Sequence, residues 1–77
     1  MYTTNIILNT IEEVKKFVEL ANKYPFDIDL SYGKYTVNGK SIMGIFSLEL
    51  SKTLVMQAEC EETDEFVSAL EPFIIKE

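Results

Sequence analysis

The sequence predicts an α+β fold in which one sheet and three helices form a two-layer sandwich. Four segments alternate between apolar and polar side chains, as strands with one buried face do. Three other segments have helical apolar spacing or begin with a capping residue. The predicted order is strand, helix, strand, strand, short helix, strand, helix. The 77 residues are enough for one domain, which we assign to residues 1–77.

The first strand is predicted at residues 2–8 and leads into the first helix. Thr10 and Glu13 have the spacing of a capping box, in which Thr10 accepts the Glu13 N–H and Glu13 reaches back. Pro25 disfavours helical geometry at the preceding residue, so the helix should end near Tyr24. Its predicted core face consists of Ile11, Val14, Phe17, Val18 and Ala21.

A hairpin and a short helix are predicted in the middle of the chain. Residues 26–32 alternate as a strand, Gly33-Lys34 marks a turn, and residues 35–37 return. Ser41 then begins a short helix that ends by Ser51-Lys52.

The last third of the chain predicts a strand at residues 53–60 and a final helix. Thr63 has the residue type of an N-cap. Pro72 would remove an interior hydrogen bond, so this helix should bend or end near Glu71. Its core stripe would be Phe66, Val67 and Leu70, extended by Phe73 and Ile74.

The composition excludes several function classes. Seven basic residues face 13 acidic ones, a net charge of −6, which disfavours nucleic acid and anionic membranes as partners. The N-terminus has no basic segment followed by a long apolar stretch, so no signal peptide is expected. Cys60 is the one cysteine, which fits a cytoplasmic protein, and its place on an apolar strand face predicts an unreactive core thiol. We expect no metal site and no cofactor, since His and Cys ligands are too few.

The run Lys-Ser-Ile-Met-Gly at positions 40–44, followed by Ser47-Leu48, resembles one family. This family is the HPr phosphocarriers of the bacterial sugar phosphotransferase system. Ala-Asn-Lys-Tyr at 21–24 and Asp-Ile-Asp-Leu at 27–30 agree with it as well. The resemblance extends over residues 11–70. It implies a four-stranded antiparallel sheet in βαββαβα order, with three helices on one face.

The phosphoacceptor motif of that family, a histidine followed by Ala-Arg-Pro-Ala, is missing. The sequence contains no histidine. Counting back from Ala21 without a gap puts Thr10 at the histidine position, with Ile11, Glu12 and Glu13 after it. Two carboxylates at a helix N-terminus would repel a phosphoryl group and occupy the helix dipole themselves. Thr10 is either a substitute acceptor or, as base rates for threonine favour, only an N-cap.

Two features of the short helix remain as candidate sites. Ser41 resembles the family serine that HPr kinase phosphorylates, and it also fits a simple N-cap. With Ile45 turned to the core, a second set of apolar side chains would lie on the outer side, where the family binds its partners. This set is Ile42, Met43 and Phe46. The alternatives are that Met43 or Phe46 fills a gap in the core, or that the set forms a homodimer contact.

We therefore expect a non-catalytic, HPr-like regulatory module rather than an enzyme. It would bind proteins through the short helix, such as phosphotransferase-system components, and be switched at Ser41. The alternative is a phosphocarrier of the phosphoenolpyruvate-dependent system that uses an atypical acceptor. A third interpretation is a relic of the fold with an unrelated partner.

Overall fold

Seven elements follow one another in the order that the sequence predicts. The computed structural model describes residues 1–48, 50–61 and 64–75, without the side chain of residue 64. The elements are β1 (Tyr2–Ile7), α1 (Ile11–Ala21), β2 (Ile28–Tyr32), β3 (Tyr35–Asn38), α2 (Ile42–Phe46), β4 (Thr53–Ala58) and α3 (Asp64–Leu70). The predicted α+β class is confirmed.

The four strands form one antiparallel sheet in the order β1-β4-β2-β3. In this register Ile6 lies opposite Leu54. Leu30 lies opposite both Met56 and Val37. β4 therefore occupies the middle of the sheet between the first strand and the hairpin, although it comes last along the chain.

One face of the sheet is apolar and packs against the helices. Alternation along each strand puts every second side chain on this face, and the residues between them, such as Thr3 and Gln57, stay exposed. The strands and Leu8, which follows β1, supply this face of the core: Ile6, Leu8, Ile28, Leu30, Leu54, Met56 and Ala58. The helices and the segments after them contribute Val14, Phe17, Ala21, Ile45, Leu48, Phe66, Leu70 and Phe73.

The β2–β3 hairpin has the two-residue turn predicted at Gly33-Lys34. Gly33 has a φ of 58°, in the left-handed region, while Lys34 does not. A glycine at the first central position is the requirement of a type II′ turn, whose twist matches that of the two strands. This hairpin supplies β3, the strand over which α2 packs.

α1 ends at Ala21, earlier than the predicted end near Tyr24. Asn22 is the C-cap, and its N–H donates to the Val18 carbonyl at 3.0 Å. The Tyr24 N–H then donates to the Ala21 carbonyl at 3.3 Å, so the chain continues in tighter turns before Pro25.

Three strands are also shorter than predicted. β1 ends at Ile7 rather than at residue 8. β2 begins at Ile28 because Phe26 turns towards an aromatic cluster, 5.2 Å from the ring of Phe66. β4 ends at Ala58 because the Cys60 N–H donates to the Ala58 carbonyl at 2.8 Å in a turn.

The segment after α3 adds to the outer edge of β1. α3 ends at Leu70, which confirms the end predicted near Glu71, while the predicted cap Thr63 lies outside the described residues. Ile74 then forms an antiparallel bridge with Ile6. The Ile7 N–H donates to the Phe73 carbonyl at 2.9 Å. Residues 73–75 thus cover an edge that would otherwise present free backbone groups.

Candidate functional site

α1 and α2 are neighbours that run in opposite directions. Asn22, at the end of α1, donates its side-chain N–H to the Lys40 carbonyl just before α2, at 3.4 Å. In the turn after α2, the Ser51 N–H donates to the Leu8 carbonyl at 2.8 Å, close to where α1 begins. The start of α1 and the end of α2 therefore lie at the same end of the molecule.

The hydroxyl of Thr10 caps α1. Thr10 has extended backbone geometry, and its Oγ1 accepts the Glu13 N–H at 3.1 Å. The same Oγ1 donates to Oε2 of Glu13 at 3.4 Å. The predicted capping pair is present, but the Glu13 carboxylate accepts from the Thr10 hydroxyl rather than from the Thr10 backbone N–H. Glu12 is the second acid in this first turn.

The hydroxyl of Ser41 caps α2 in the same way. Ser41 is extended, and its Oγ accepts the Gly44 N–H at 3.2 Å. The first turn of α2 contains no acidic residue. Ser41 is half-buried, and its hydrogen bond to Gly44 is partly shielded from solvent.

The outer side of α2 presents two apolar side chains. Met43 is 75% exposed and Phe46 is 39% exposed, whereas Ile45 is fully buried under the helix. Clustered apolar exposure of this kind is typical of an interaction site. We call the exposed side chains of Met43 and Phe46 the apolar surface.

Ile42 was predicted to face outward with Met43 and Phe46, but it does not. It is half-buried and packs against the core. The reason is that α2 packs against β3, so closely that a Cβ at position 44 would lie 3.4 Å from Cβ of Val37.

Ile11 was predicted on the core face of α1, and that prediction is wrong. It is 55% exposed. The buried side chains Val14, Phe17 and Ala21 define the inner face, and at about 100° per residue Ile11 lies roughly 90° away from it. Its exposure could have been detected from this angular offset.

Cys60 is half-buried and packs against the core, as its apolar surroundings predict. Burial raises the pKa of its thiol, because the thiolate would lose hydration, and the nearby N-terminus only partly opposes this shift. At neutral pH the residue is thus held in its less reactive form.

Within residues 1–48, 50–61 and 64–75 no group of His, Cys, Asp and Glu side chains is arranged to hold a metal ion. In the same part of the chain no helix combines the length and apolar character needed to cross a membrane.

A family model described as "PTS HPr component phosphorylation site" matches residues 12–76. Most of the chain is covered, and the match begins two residues after Thr10. It includes both the short helix and the strand that follows it.

Two solved HPr structures are similar to this chain. The protein named HPr-C-His from Thermoanaerobacter tengcongensis is 28% identical, with a TM-score of 0.75, over 94% of this chain and 89% of that one. The phosphocarrier protein HPr from Bacillus anthracis str. Ames is 25% identical, with a TM-score of 0.72, over 96% of each chain. On the family match and these shared folds, the chain belongs to the HPr family of the phosphotransferase system.

Proposed function

We propose that this HPr-family protein binds partners within the phosphotransferase system without carrying phosphate on histidine. One observation carries the proposal. The chain contains no histidine, and the residue at the start of α1 is Thr10, whose hydroxyl bonds to Glu13 on both its accepting and donating sides.

The electrostatics of the α1 start support the same proposal. A helix N-terminus attracts anions through its free N–H groups and its dipole. Here Thr10 already accepts one of these N–H groups, and Glu12 and Glu13 supply the negative charge. A phosphoryl group arriving at this point would be repelled by two carboxylates at close range.

The atypical-carrier alternative draws on one contact. Glu13 lies within 3.4 Å of the Thr10 hydroxyl and could act as its general base. The hydroxyl is a weak nucleophile, and the same carboxylate repels the phosphoryl donor. We therefore rank this alternative second.

A transfer assay separates the two functions. The protein is incubated with phosphoenolpyruvate and the first enzyme of the system, and its intact mass is measured before and after acid treatment. We expect no added phosphate, while a histidine-containing HPr in the same mixture becomes labelled. Phosphate on the wild type that is lost in Thr10→Ala would establish the alternative and contradict our proposal.

The second part of the proposed function is docking through the apolar surface. Met43 and Phe46 lie on a helix whose opposite side, Ile45, is fully buried, so they are held in place while remaining accessible. Exposed aromatic and methionine side chains on a fixed support are common anchors of protein interfaces.

Ser41 is the proposed switch of that surface. A phosphate on Oγ would add close to two negative charges two residues before Met43, with three strong acceptor oxygens. Burying these charges against an apolar partner is unfavourable, so phosphorylation should weaken docking. The test also examines a homodimer, since a second copy and a different partner protein would both bind through Met43 and Phe46.

HPr kinase and ATP test this switch directly. We expect one added phosphate on the wild type and none on Ser41→Ala, with Ser47→Ala as the matched control. Analytical ultracentrifugation of both forms then reports whether the apolar surface joins two copies. An unmodified wild type after prolonged incubation would remove Ser41 from the proposal.

A further inference from the structure

α2 is too short to hold its own position. It comprises five residues, and isolated helices below about 12–15 residues are marginal in water. Its placement must come from contacts outside the helix. The inward Ile45 supplies one, and the segment leading into α2 supplies the others.

That leading segment is pressed against β2. The Gly39 N–H donates to the Ile28 carbonyl at 2.7 Å. A side chain at position 39 would come within 2.9 Å of Cγ2 of Ile28, so only glycine fits here without displacement. The chain therefore enters Lys40 from a fixed point.

Lys40 makes three hydrogen bonds that join separate parts of the fold. Its ammonium donates to the Tyr24 carbonyl at 2.6 Å, in a partly buried position. Its backbone N–H donates to the side-chain oxygen of Asn38 at 2.9 Å. Its carbonyl accepts from the side chain of Asn22 at 3.4 Å. The turn after α1, the end of β3 and the start of α2 thus meet at one residue.

The acceptor of the ammonium is itself firmly held. The Tyr24 ring packs 5.0 Å from the ring of buried Phe66. α1 has no basic residue in its last turn. The Lys40 cation, bound to a carbonyl three residues past Ala21, adds positive charge near this helix end, where the helix dipole favours it.

We propose that Lys40 is a positioning residue for the docking helix, with its ammonium engaged inside the protein rather than offered to a phosphate or a partner. The contrast with its neighbour supports this assignment, because the Ser41 hydroxyl accepts the Gly44 N–H within α2, while the Lys40 ammonium reaches the Tyr24 carbonyl in the turn after α1. The functional importance of the hydrogen bond from Lys40 to Tyr24 rests on the proposed docking role of α2. The positioning of α2 by this bond does not depend on that role.

Amine labelling tests where the ammonium is engaged. The folded protein is treated briefly with an acetylating N-hydroxysuccinimide ester, and the modification of each lysine is followed by mass spectrometry. Lys40 should react at least tenfold more slowly than Lys34, which is exposed in the hairpin turn. Equal rates would overturn the proposal.

Hydrogen exchange tests what the contact does. Lys40→Met keeps the apolar stem and removes the charge, Lys40→Arg restores a donor, and Lys34→Met is the matched control. In Lys40→Met the amides of Gly44 and Ile45 should exchange at least tenfold faster, while those of Leu54 and Met56 in β4 change less than threefold. Lys40→Arg should restore part of the protection.

Two outcomes would contradict the role of Lys40. One is unchanged exchange in α2, and the other is an equal increase in α2 and β4, which would mean that Lys40 contributes to global stability only. Neither depends on phosphotransfer or partner binding. A failure of the proposed function would therefore be recognised separately, by the transfer and docking assays.

Discussion

The two helix starts of this protein have the same local geometry and different surroundings. Thr10 and Ser41 are both extended, and each hydroxyl accepts an N–H three residues later, at 3.1 and 3.2 Å. The start of α1 continues with Glu12 and Glu13, whereas the first turn of α2 contains no acid and exposes Met43.

This comparison shows that a hydroxyl cap at a helix start does not by itself make an anion-binding site. The N–H groups of the helix start favour an anion in both places. The flanking side chains decide whether an anion is accepted, and at α1 they oppose it. Under the proposed function, the start of α1 accepts no phosphate and the exposed side of α2 binds partners.

The largest expected effect comes from variants that make the start of α1 accept phosphate. Thr10→His alone provides a nucleophile, and adding Glu12→Arg replaces a repulsive charge with one that stabilises phosphate. We expect the double variant to accept phosphate from the first enzyme of the system at least tenfold faster than Thr10→His. The measurement is the initial rate of acid-labile phosphate incorporation.

The matched control for this pair is Thr10→His with Glu59→Arg. Glu59 follows β4 at the end where Ala58 pairs with Tyr2, the opposite end of the sheet from the start of α1. Glu59→Arg changes the net charge by the same amount as Glu12→Arg. If this control is as fast as the double variant, net charge and not the local carboxylate limits the reaction.

The inner side of α2 should govern stability rather than binding. Ile45 is fully buried, so Ile45→Ala should lower the free energy of unfolding by about 2–5 kcal/mol through lost burial and a cavity. Met43→Ala should change it by less than about 0.5 kcal/mol, as exposed positions do. Urea unfolding of both variants checks this contrast, and similar losses would mean that α2 has no distinct outer side.

The outer side should govern binding. Met43→Asp and Phe46→Asp should each weaken partner binding by at least tenfold, because a carboxylate would be desolvated in an apolar contact. The binding constant is measured by calorimetry against the partner recovered from the source extract, with unfolding curves recorded in parallel.

Tyr35→Asp is the control for these two variants. Tyr35 is also largely exposed, but it lies in the hairpin rather than on α1 or α2. An equal loss of binding in this control would contradict the assignment of the apolar surface. Because Met43 is more exposed than Phe46, Met43→Asp remains informative even if Phe46→Asp fails to fold.

The smallest effects concern the two caps themselves. Thr10→Ala and Ser41→Ala should each lower the free energy of unfolding by about 1 kcal/mol, the usual contribution of a hydroxyl N-cap. Only Ser41→Ala should also prevent modification by HPr kinase. A difference above about 2 kcal/mol between the two variants in urea unfolding would show that one cap does more than satisfy an N–H group.

Local signals predicted most of the fold. The alternation of apolar and polar residues located the strands, and the Gly33-Lys34 pair located the hairpin turn. The residue types and spacing at Thr10 and Ser41 correctly predicted the two N-caps. The central place of β4 was not predicted, because strand order depends on contacts between distant segments.

The candidate site was predicted less completely. Met43 and Phe46 were placed outside, but Ile11 and Ile42 exchanged roles with respect to the prediction. The exposure of Ile11 follows from its angular offset on α1, whereas the inward position of Ile42 depends on the packing of α2 against β3. Lys40 could not be assigned from sequence, since its acceptor lies 16 residues away in the chain.

The edge contact between β1 and residues 73–75 has a consequence for how the chain folds. Both neighbours of β1 come from the second half of the chain, β4 on one side and the segment around Ile74 on the other. Closing such long loops precedes any gain from pairing, which slows folding. During synthesis the first strand must therefore remain unpaired until β4 has left the ribosome, exposed to chaperones or to other nascent chains.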